Sequence, residues 1–233
     1  MHVLTLSLDT SSASGSLAIL RDDFALGVLA TSSDEAYSSR LFRHLDFLLR
    51  DLALELKDFD LFAVASGPGS FTGLRVGLAA AKAWSEVQRK SVVGVSALEA
   101  VASQARSLAP TIVSVIDARR GQVYFAFYRR ESGRLVLEGD ERAAAPVEFL
   151  DLVRPRVKAG AVEIATPQPE LVSRILEGSD LAAIPTETVP NFLAPAIGRL
   201  GRARSLRGEV SDSLSLEANY VRRCEAEVNW KGP

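Results

Sequence analysis

The feature that most constrains the fold of this chain is a pattern that occurs twice. Residues 6–20 (LSLDTSSASGSLAIL) and residues 114–128 (SVIDARRGQVYFAFY) each contain an apolar strand, an aspartate, a short turn and a second apolar strand. A supersecondary unit that recurs within one chain indicates a duplicated architecture. We therefore predict two similar lobes, an N-terminal lobe over residues 1–108 and a smaller, degenerate C-terminal lobe over residues 109–233.

Segments typical of strands and of helices alternate around this repeat. Apolar patterns predict strands at residues 3–9, 16–21, 24–32, 61–67, 91–96, 111–117 and 122–130. One-sided stripes predict helices at residues 34–54, 73–84, 97–106, 169–176 and 191–204, the first capped by Ser33 or Asp34. This order is typical of an α/β protein with a mixed sheet and flanking helices in each lobe. Prolines from Pro146 onward divide the second lobe into short pieces whose fold stays open.

The composition excludes several classes of protein. The 233 residues have a formal net charge of -2 with dispersed basic residues, so a stand-alone nucleic-acid-binding protein is not expected. The single cysteine, Cys224, excludes a disulfide framework and a multi-cysteine zinc site. The first residues lack the pattern of a signal peptide, and no apolar run is long enough to span a membrane. We predict a cytoplasmic protein without membrane contact.

The motifs of common catalytic sites are not found. The glycine-rich segment 66–87 (SGPGSFTGLRVGLAAAKAWSEV) lacks the lysine of a P-loop, and Thr72 replaces the third glycine of GxGxxG. The two histidines, His2 and His44, belong to no hydrolase or metal-binding pattern. We predict no metal and no cofactor, while anion binding at the N-terminus of the helix that follows residue 70 stays open.

This helix has two faces that require burial. One face combines small residues with a tryptophan, and the other is aliphatic; their members are Gly73, Gly77, Ala80 and Trp84, and Leu74, Leu78 and Ala81. Packing against the protein's own sheet explains one face. The other, beside the extra apolar residues Phe47 and Leu54 of the preceding helix, indicates a helix-on-helix partner interface, with scattered surface hydrophobics as the alternative. The arginines 199, 202, 204 and 207 indicate a solvated helix face or, alternatively, phosphate contact in an assembly.

Four segments, taken together, resemble a known family. LDTSSASGSLAIL, SGPGSFTGLRVGLAAAKAW, VVGVSALEA and VIDARRGQVYFAFY are similar, in order and spacing, to segments of the bacterial TsaB or YeaZ family of tRNA threonylcarbamoyladenosine biosynthesis proteins, which is related to TsaD and the glycoprotease-like proteins. The resemblance covers residues 3–130 and, later, the stretch Asn219-Tyr220-Val221-Arg222. It implies a two-lobed fold of the actin, sugar-kinase and Hsp70 ATPase (ASKHA) type.

The resemblance also implies a non-catalytic scaffold. TsaD holds the metal and performs the transfer, and the ATPase TsaE assists in modifying tRNAs that read ANN codons. A member of this type would form a heterodimer with TsaD and would meet TsaE and tRNA only within that complex. The apolar helix face favours a homodimer in isolation, and a monomer stays open as the alternative. Carried over to this chain, the docking helices imply an interface of Tyr37, Leu41, Phe42, Leu45, Leu49, Gly73, Arg75, Val76, Gly77, Ala80 and Trp84.

The two aspartate turns correspond to the loops that approach nucleotide and metal in that superfamily. Neither turn has the superfamily's glycine beside its aspartate, which lets the backbone reach phosphate, so we predict a vestigial nucleotide or anion site at most. Its residues are Asp9, Thr10, Ser11, Ser70, Asp117, Arg119 and Arg120. The alternative function is a small-molecule ATP phosphotransferase of the same superfamily. The first helix has Tyr37 where relatives often have histidine, so no histidine role is carried over.

Overall fold

The computed structural model describes residues 2–33 and 35–222, which form two compact units. The first unit joins the residues up to Ala97 with Phe192–Tyr220, and the second contains Leu98–Asn191 and residues 221–222. No helix in these residues is both long enough and apolar enough to cross a membrane. The elements in chain order are β1 (Leu4–Asp9), β2 (Ser14–Arg21), β3 (Phe24–Ser32), α1 (Tyr37–Asp51), a 3₁₀ turn (Leu56–Asp58), β4 (Leu61–Gly67), α2 (Phe71–Gln88), β5 (Ser91–Ser96), α3 (Ala97–Ser103), β6 (Thr111–Arg119), β7 (Gln122–Glu131), β8 (Arg134–Ala144), α4 (Pro146–Ala159), β9 (Val162–Thr166), α5 (Pro169–Leu176), β10 (Thr186–Thr188) and α6 (Ala194–Leu206).

The two units contain sheets of the same design. The first sheet has the order β3-β2-β1-β4-β5, with β1 antiparallel to β2 and parallel to β4. The second has the corresponding order β8-β7-β6-β9-β10, with β6 antiparallel to β7 and parallel to β9. The predicted duplication and the α/β, ASKHA-type fold class are therefore confirmed. The last strand of the second sheet has only 3 residues, in keeping with a degenerate second copy.

The first sheet is covered on both faces, which explains why its central strands are buried almost throughout. Leu6 and Leu8 of β1 belong to the apolar cluster under α1 and α2. Ser7, between them, points to the opposite face and donates a hydrogen bond of 2.7 Å to the carbonyl of Ala194 at the start of α6. Side chains of β1 therefore alternate between the sheet face that α1 and α2 cover and the opposite face, which α6 covers.

The division into units differs from the predicted boundary between residues 108 and 109, because the C-terminal helix α6 packs on the first sheet. Helix α6 packs against β1, β2, β4 and β5. The contact is close because Gly201 faces the sheet, where a Cβ atom would lie 2.7 Å from the Cβ of Ala63. A linear division cannot represent this arrangement, since residues 192–220 complete a unit that begins at the N-terminus.

Most strands predicted from the sequence are confirmed, with ends that differ by a few residues, whereas the helix ends and the second unit contain errors. Helix α1 begins at Tyr37 with Ala36 at the N-cap position and no side-chain cap. The Ser33 cap is wrong, because its hydroxyl instead accepts from the N–H of Glu35 at 3.0 Å, and Asp34 lies outside the described residues. The elements β8, α4, β9 and β10 were not predicted, and Pro155 lies inside α4 rather than ending it.

The arginines of α6 bind other parts of the first unit. Arg199 donates to the carbonyl of Asp23 at 3.1 Å, and Arg202 pairs with Asp22 at 3.1 Å. The pKa of Asp22 is lowered to about 2 by the hydrogen bonds that Asp22 makes with His2 and Val3 and by the positive charge of Arg202. These intramolecular partners explain the arginine cluster without phosphate contact.

Candidate partner-binding surface and aspartate turns

The first aspartate turn is closed by hydrogen bonds to the loop before α2. Asp9 ends β1, and its Oδ1 accepts a hydrogen bond of 2.8 Å from the N–H of Ser11. The Thr10 hydroxyl donates to the carbonyl of Gly73 at 2.7 Å, and the Ser70 N–H donates to the carbonyl of Ser11 at 2.7 Å. The predicted residues of this turn therefore lie together with the N-cap of α2.

The glycines of segment 66–87 are explained by contacts within the chain. A Cβ atom at Gly69 would overlap Ser11, and a Cβ atom at Gly73 or Gly77 would overlap Thr10. Glycine is required at these positions because the aspartate turn lies directly against the loop and helix. The interpretation that Gly73 and Gly77 open a helix face for another protein is therefore wrong. The chain's own Thr10 occupies that face.

Asp9 is sealed inside the first unit. It is 1% exposed, burial raises the pKa of its carboxyl above the usual 3.8, and its Oδ2 has no hydrogen-bond partner among the described residues. Burial likewise raises the pKa of Tyr37 to about 12. Above that ring, at 4.1 Å, lies the guanidinium of Arg40, which donates to the carbonyl of Ala13 at 3.0 Å. A carboxylate in this environment has no surface to offer to a metal ion or a phosphate.

The second aspartate turn repeats the hydrogen bond of the first but is open. The Oδ1 of Asp117 accepts from the N–H of Arg119 at 2.7 Å, as Oδ1 of Asp9 does from the N–H two residues later. Asp117 is partly exposed, and Arg119 and Arg120 are exposed. The predicted residues of the vestigial site thus belong to both units: Asp9, Thr10, Ser11 and Ser70 to the first, and Asp117, Arg119 and Arg120 to the second.

Helix α2 is enclosed on three sides. Leu74, Leu78 and Ala81 face the sheet, and Trp84 packs beside α1, where Phe42 lies edge-on at 6.3 Å. The third side is a polar edge that contains the charged residues of the helix. It is covered by residues 211–220, which we call the C-terminal strap.

The C-terminal strap binds each charged residue of that edge. Lys82 donates to the carbonyl of Leu216 at 2.9 Å, Glu86 accepts from Ser213 at 2.5 Å, and Arg75 bonds the hydroxyl of Tyr220 at 3.2 Å. The ring of Tyr220 also stacks on Phe71, with centroids 5.1 Å apart. The strap was not predicted, and its only signal in the sequence was the Asn219-Tyr220-Val221-Arg222 stretch.

The fourth side of α2 remains in solvent and consists of small or apolar residues. Thr72, Val76, Ala79, Ala83 and Val87 lie along one stripe between α1 and the strap. We call this stripe, together with the neighbouring Phe42 of α1, the α2 surface. Phe42 is 59% exposed and Val87 is 75% exposed.

Most residues of the predicted interface are not at this surface. Phe42 and Arg75 are exposed, and Leu49, Gly73 and Val76 are partly exposed. The others are buried in the core of the first unit and support the surface from below: Tyr37, Leu41, Leu45, Gly77, Ala80 and Trp84. The helices of the prediction are retained, but Thr72, Ala79, Ala83 and Val87 replace the buried residues as candidate contacts.

Comparison with known proteins identifies the family of the chain. The family model "TsaD: tRNA N6-adenosine threonylcarbamoyltransferase" matches residues 18–185. The chain belongs to this family, as a member of the TsaB/YeaZ type. It is 28% identical to the "tRNA threonylcarbamoyladenosine biosynthesis protein TsaB" of Bacillus subtilis, covering 97% of this chain and 96% of the relative. The TsaB of Haemophilus influenzae is 29% identical, with coverages of 99% and 97%.

A solved structure has the same fold as this chain. A protein from Pseudomonas aeruginosa, described as having similarity to peptidase YEAZ, superimposes with a TM-score of 0.76 at 24% identity, covering 94% of this chain and 100% of that protein. Residues 2–33 and 35–222 contain no cluster of three or more His, Cys, Asp or Glu side chains that could hold a metal ion.

Proposed function

We propose that the chain is a non-catalytic partner of TsaD in the threonylcarbamoyladenosine modification of tRNAs that read ANN codons. Membership of the family and the relatives named TsaB support a role in tRNA threonylcarbamoyladenosine biosynthesis. In this role the chain works in the cytoplasm and forms a heterodimer with TsaD. It meets TsaE and tRNA only within that complex and pairs with a second copy when TsaD is absent.

The closed Asp9 turn is the observation that supports a non-catalytic role. The side chain that would approach nucleotide-bound metal is buried. Thr10 packs against the glycines of α2, and Ser11 packs against Gly69 in the loop before it. Opening the turn would break the 2.7 Å bond from Thr10 to Gly73 and the 2.7 Å bond from Ser70 to Ser11. The free energy of burying this carboxylate favours its neutral form, which is a poor metal ligand.

The α2 surface supports a helical partner. A stripe of alanine, valine and threonine allows another helix to approach closely, as ridges pack into grooves between helices. Phe42 flanks the stripe and rests on Trp84, so this exposed aromatic side chain is held in place before binding. We infer that TsaD docks here with helices that lie along α1 and α2.

The test is the substitution Ala83→Arg at the centre of the stripe. Arginine is a good helix former and Ala83 is exposed, so the variant should fold with the wild-type melting temperature. We expect it to abolish co-elution with TsaD in size-exclusion chromatography. The control is Val147→Arg, at a 72% exposed helical position of α4, which should bind TsaD normally. Normal binding by Ala83→Arg would show that the surface is misplaced, and no binding by the wild type would refute the partnership.

Calorimetry with MgATP tests the alternative of an ATP phosphotransferase. We expect no binding by the isolated chain, because Asp9 is inaccessible. Micromolar binding that Asp9→Asn removes would favour the kinase function and contradict the scaffold.

A further inference from the structure

The turn between β6 and β7 concentrates positive charge in a chain whose formal net charge is -2. Arg119 ends β6, Arg120 lies in this turn, Arg222 lies against it, and all three are exposed. The Nη1 of Arg222 donates to the carbonyl of Ala118 at 3.3 Å and to Oε1 of Gln122 at 3.4 Å. Ala118 precedes the turn and Gln122 follows it, so Arg222 links the two ends of the turn. Arg222 also adds a third positive charge.

The backbone of the turn is unfavourable for arginine. Arg119 and Arg120 have φ values of 62° and 56°, followed by Gly121 at 73°. Arg120 and Gly121 connect the paired residues Arg119 and Gln122, and both have the positive φ of a type I′ turn, whose first position favours asparagine or glycine. The strand register shifts between Asp117 and Arg119, and such a bulge redirects a side chain. Large cations held in strained conformations indicate that their charge is used.

The chemistry of the turn fits repeated phosphates better than a protein surface. Residues 117–122 include no aromatic and no large aliphatic side chain, so the turn lacks the apolar centre of a protein interface. Guanidinium groups bind phosphate oxygens bidentately. The carboxylate of Asp117 lies 3.9 Å from the guanidinium of Arg119, and solvent screens this long contact.

We propose that Arg119, Arg120 and Arg222 form a binding site for the phosphodiester backbone of RNA. The inference rests on the proposed role in tRNA modification and adds the place at which this chain contacts the nucleic acid. The contact is electrostatic and independent of base sequence, so it positions the RNA and does not select it.

The test compares two pairs of arginines in the same unit. Fluorescence anisotropy measures the binding of unmodified tRNA over a salt series by the chain in complex with TsaD, and also by the chain alone at low salt, where a weak electrostatic contact is strongest. We expect Arg119→Ala/Arg120→Ala to bind roughly tenfold more weakly at low salt and to reduce the log–log salt slope by about 2. The control, Arg134→Ala/Arg174→Ala, removes two other exposed arginines and should change neither quantity. Equal losses in both variants, or no loss in either, would overturn the site.

Further variants separate charge from structure. Arg120→Asn suits the turn better, so it should raise the melting temperature while weakening tRNA binding. Weakened binding with a lowered melting temperature would indicate a structural role and overturn the proposal. Arg119→Lys/Arg120→Lys should retain part of the affinity, because lysine keeps the charge without the bidentate geometry. Displacement of tRNA by equimolar MgATP would identify a free nucleotide as the ligand and also overturn the RNA site.

The outcomes for the two proposals are distinguishable. If the chain fails to bind TsaD but the Arg119→Ala/Arg120→Ala effect on tRNA persists in the isolated chain, the partnership is refuted and the RNA site stands. If TsaD binds normally and the arginine pair has no effect, the partnership stands and the RNA site is refuted.

Discussion

The hydroxyl of Thr10 donates a hydrogen bond of 2.7 Å to the carbonyl of Gly73, 63 positions later in the chain. This bond joins the end of the first strand to the first turn of α2. The close approach of Thr10, which leaves no room for a Cβ atom at Gly73 or Gly77, explains why the helix keeps glycines that cost about 1 kcal/mol each relative to alanine.

Alanine at either glycine should therefore destabilise the chain despite its higher helix propensity. We expect Gly77→Ala and Gly73→Ala each to lower the free energy of unfolding by about 1–3 kcal/mol through overpacking, measured by urea denaturation. Thr10→Ala should rescue Gly77→Ala, whose Cβ meets the Thr10 hydroxyl, but not Gly73→Ala, whose Cβ meets the Thr10 backbone oxygen. Equal rescue of both variants would contradict these contacts.

The buried carboxyl of Asp9 should make the chain less stable as the pH rises. Burial raises the pKa of this carboxyl in the folded chain above the ordinary value of 3.8 that it has in the unfolded chain. At a pH between 3.8 and the folded-state pKa, the folded chain therefore binds more protons than the unfolded chain. Stability therefore falls as the pH rises through the folded-state pKa. We expect Asp9→Asn to melt at or above the wild-type temperature at pH 7, with the difference shrinking towards pH 4. Asp117→Asn, in the open turn, is the control. A clear loss of stability in Asp9→Asn at pH 7 would mean that the ionised carboxylate is stabilising.

The C-terminal strap should depend on a single buried leucine. Leu216 is 6% exposed and packs into the core of the first unit, whereas Leu214 of the same segment is 87% exposed. We expect Leu216→Ala to cost about 2–5 kcal/mol and to increase amide exchange in α2, as measured by hydrogen exchange. Leu214→Ala should stay within about 0.5 kcal/mol of wild type. Similar effects from both would argue against the strap as a packed element.

Two exposed phenylalanines of α1 provide a matched test of the α2 surface. Phe42 and Phe47 are 59% and 61% exposed, but only Phe42 lies beside α2 and Trp84. We expect Phe42→Ala to weaken association with TsaD at least tenfold, about 1.4 kcal/mol, in a calorimetric titration. Phe47→Ala should bind like wild type. The reverse ranking would place the partner on the other side of α1.

The sequence predicted elements well where a local pattern decides them. The period-two strands and the Leu41, Leu45, Leu48 stripe of α1 are confirmed, because burial of one face determines such patterns. Helical periodicity also grouped Gly73 with Gly77 correctly. It could not show whether a partner or Thr10 fills the space beside them, since the filling residue lies in a distant segment.

The errors have a common physical origin in contacts that leave no local pattern. The C-terminal strap is held by the buried Leu216 and by single hydrogen bonds to side chains of α2, so it has neither strand nor helix periodicity. Strand β8 lies at a sheet edge and has 5 charged residues among its 11, which hides it from a search for apolar runs. Pro155 was expected to end a segment, yet α4 continues through it.

The return of α6 to the first sheet has a consequence for synthesis on the ribosome. Strands β1 to β5 emerge early, but the helix that covers their second face is translated almost a hundred residues after β5 ends. Until then the nascent chain exposes an apolar sheet face, a condition that favours aggregation or capture by chaperones. Fragments that stop before residue 192 should therefore be insoluble even though they contain every strand of the first sheet.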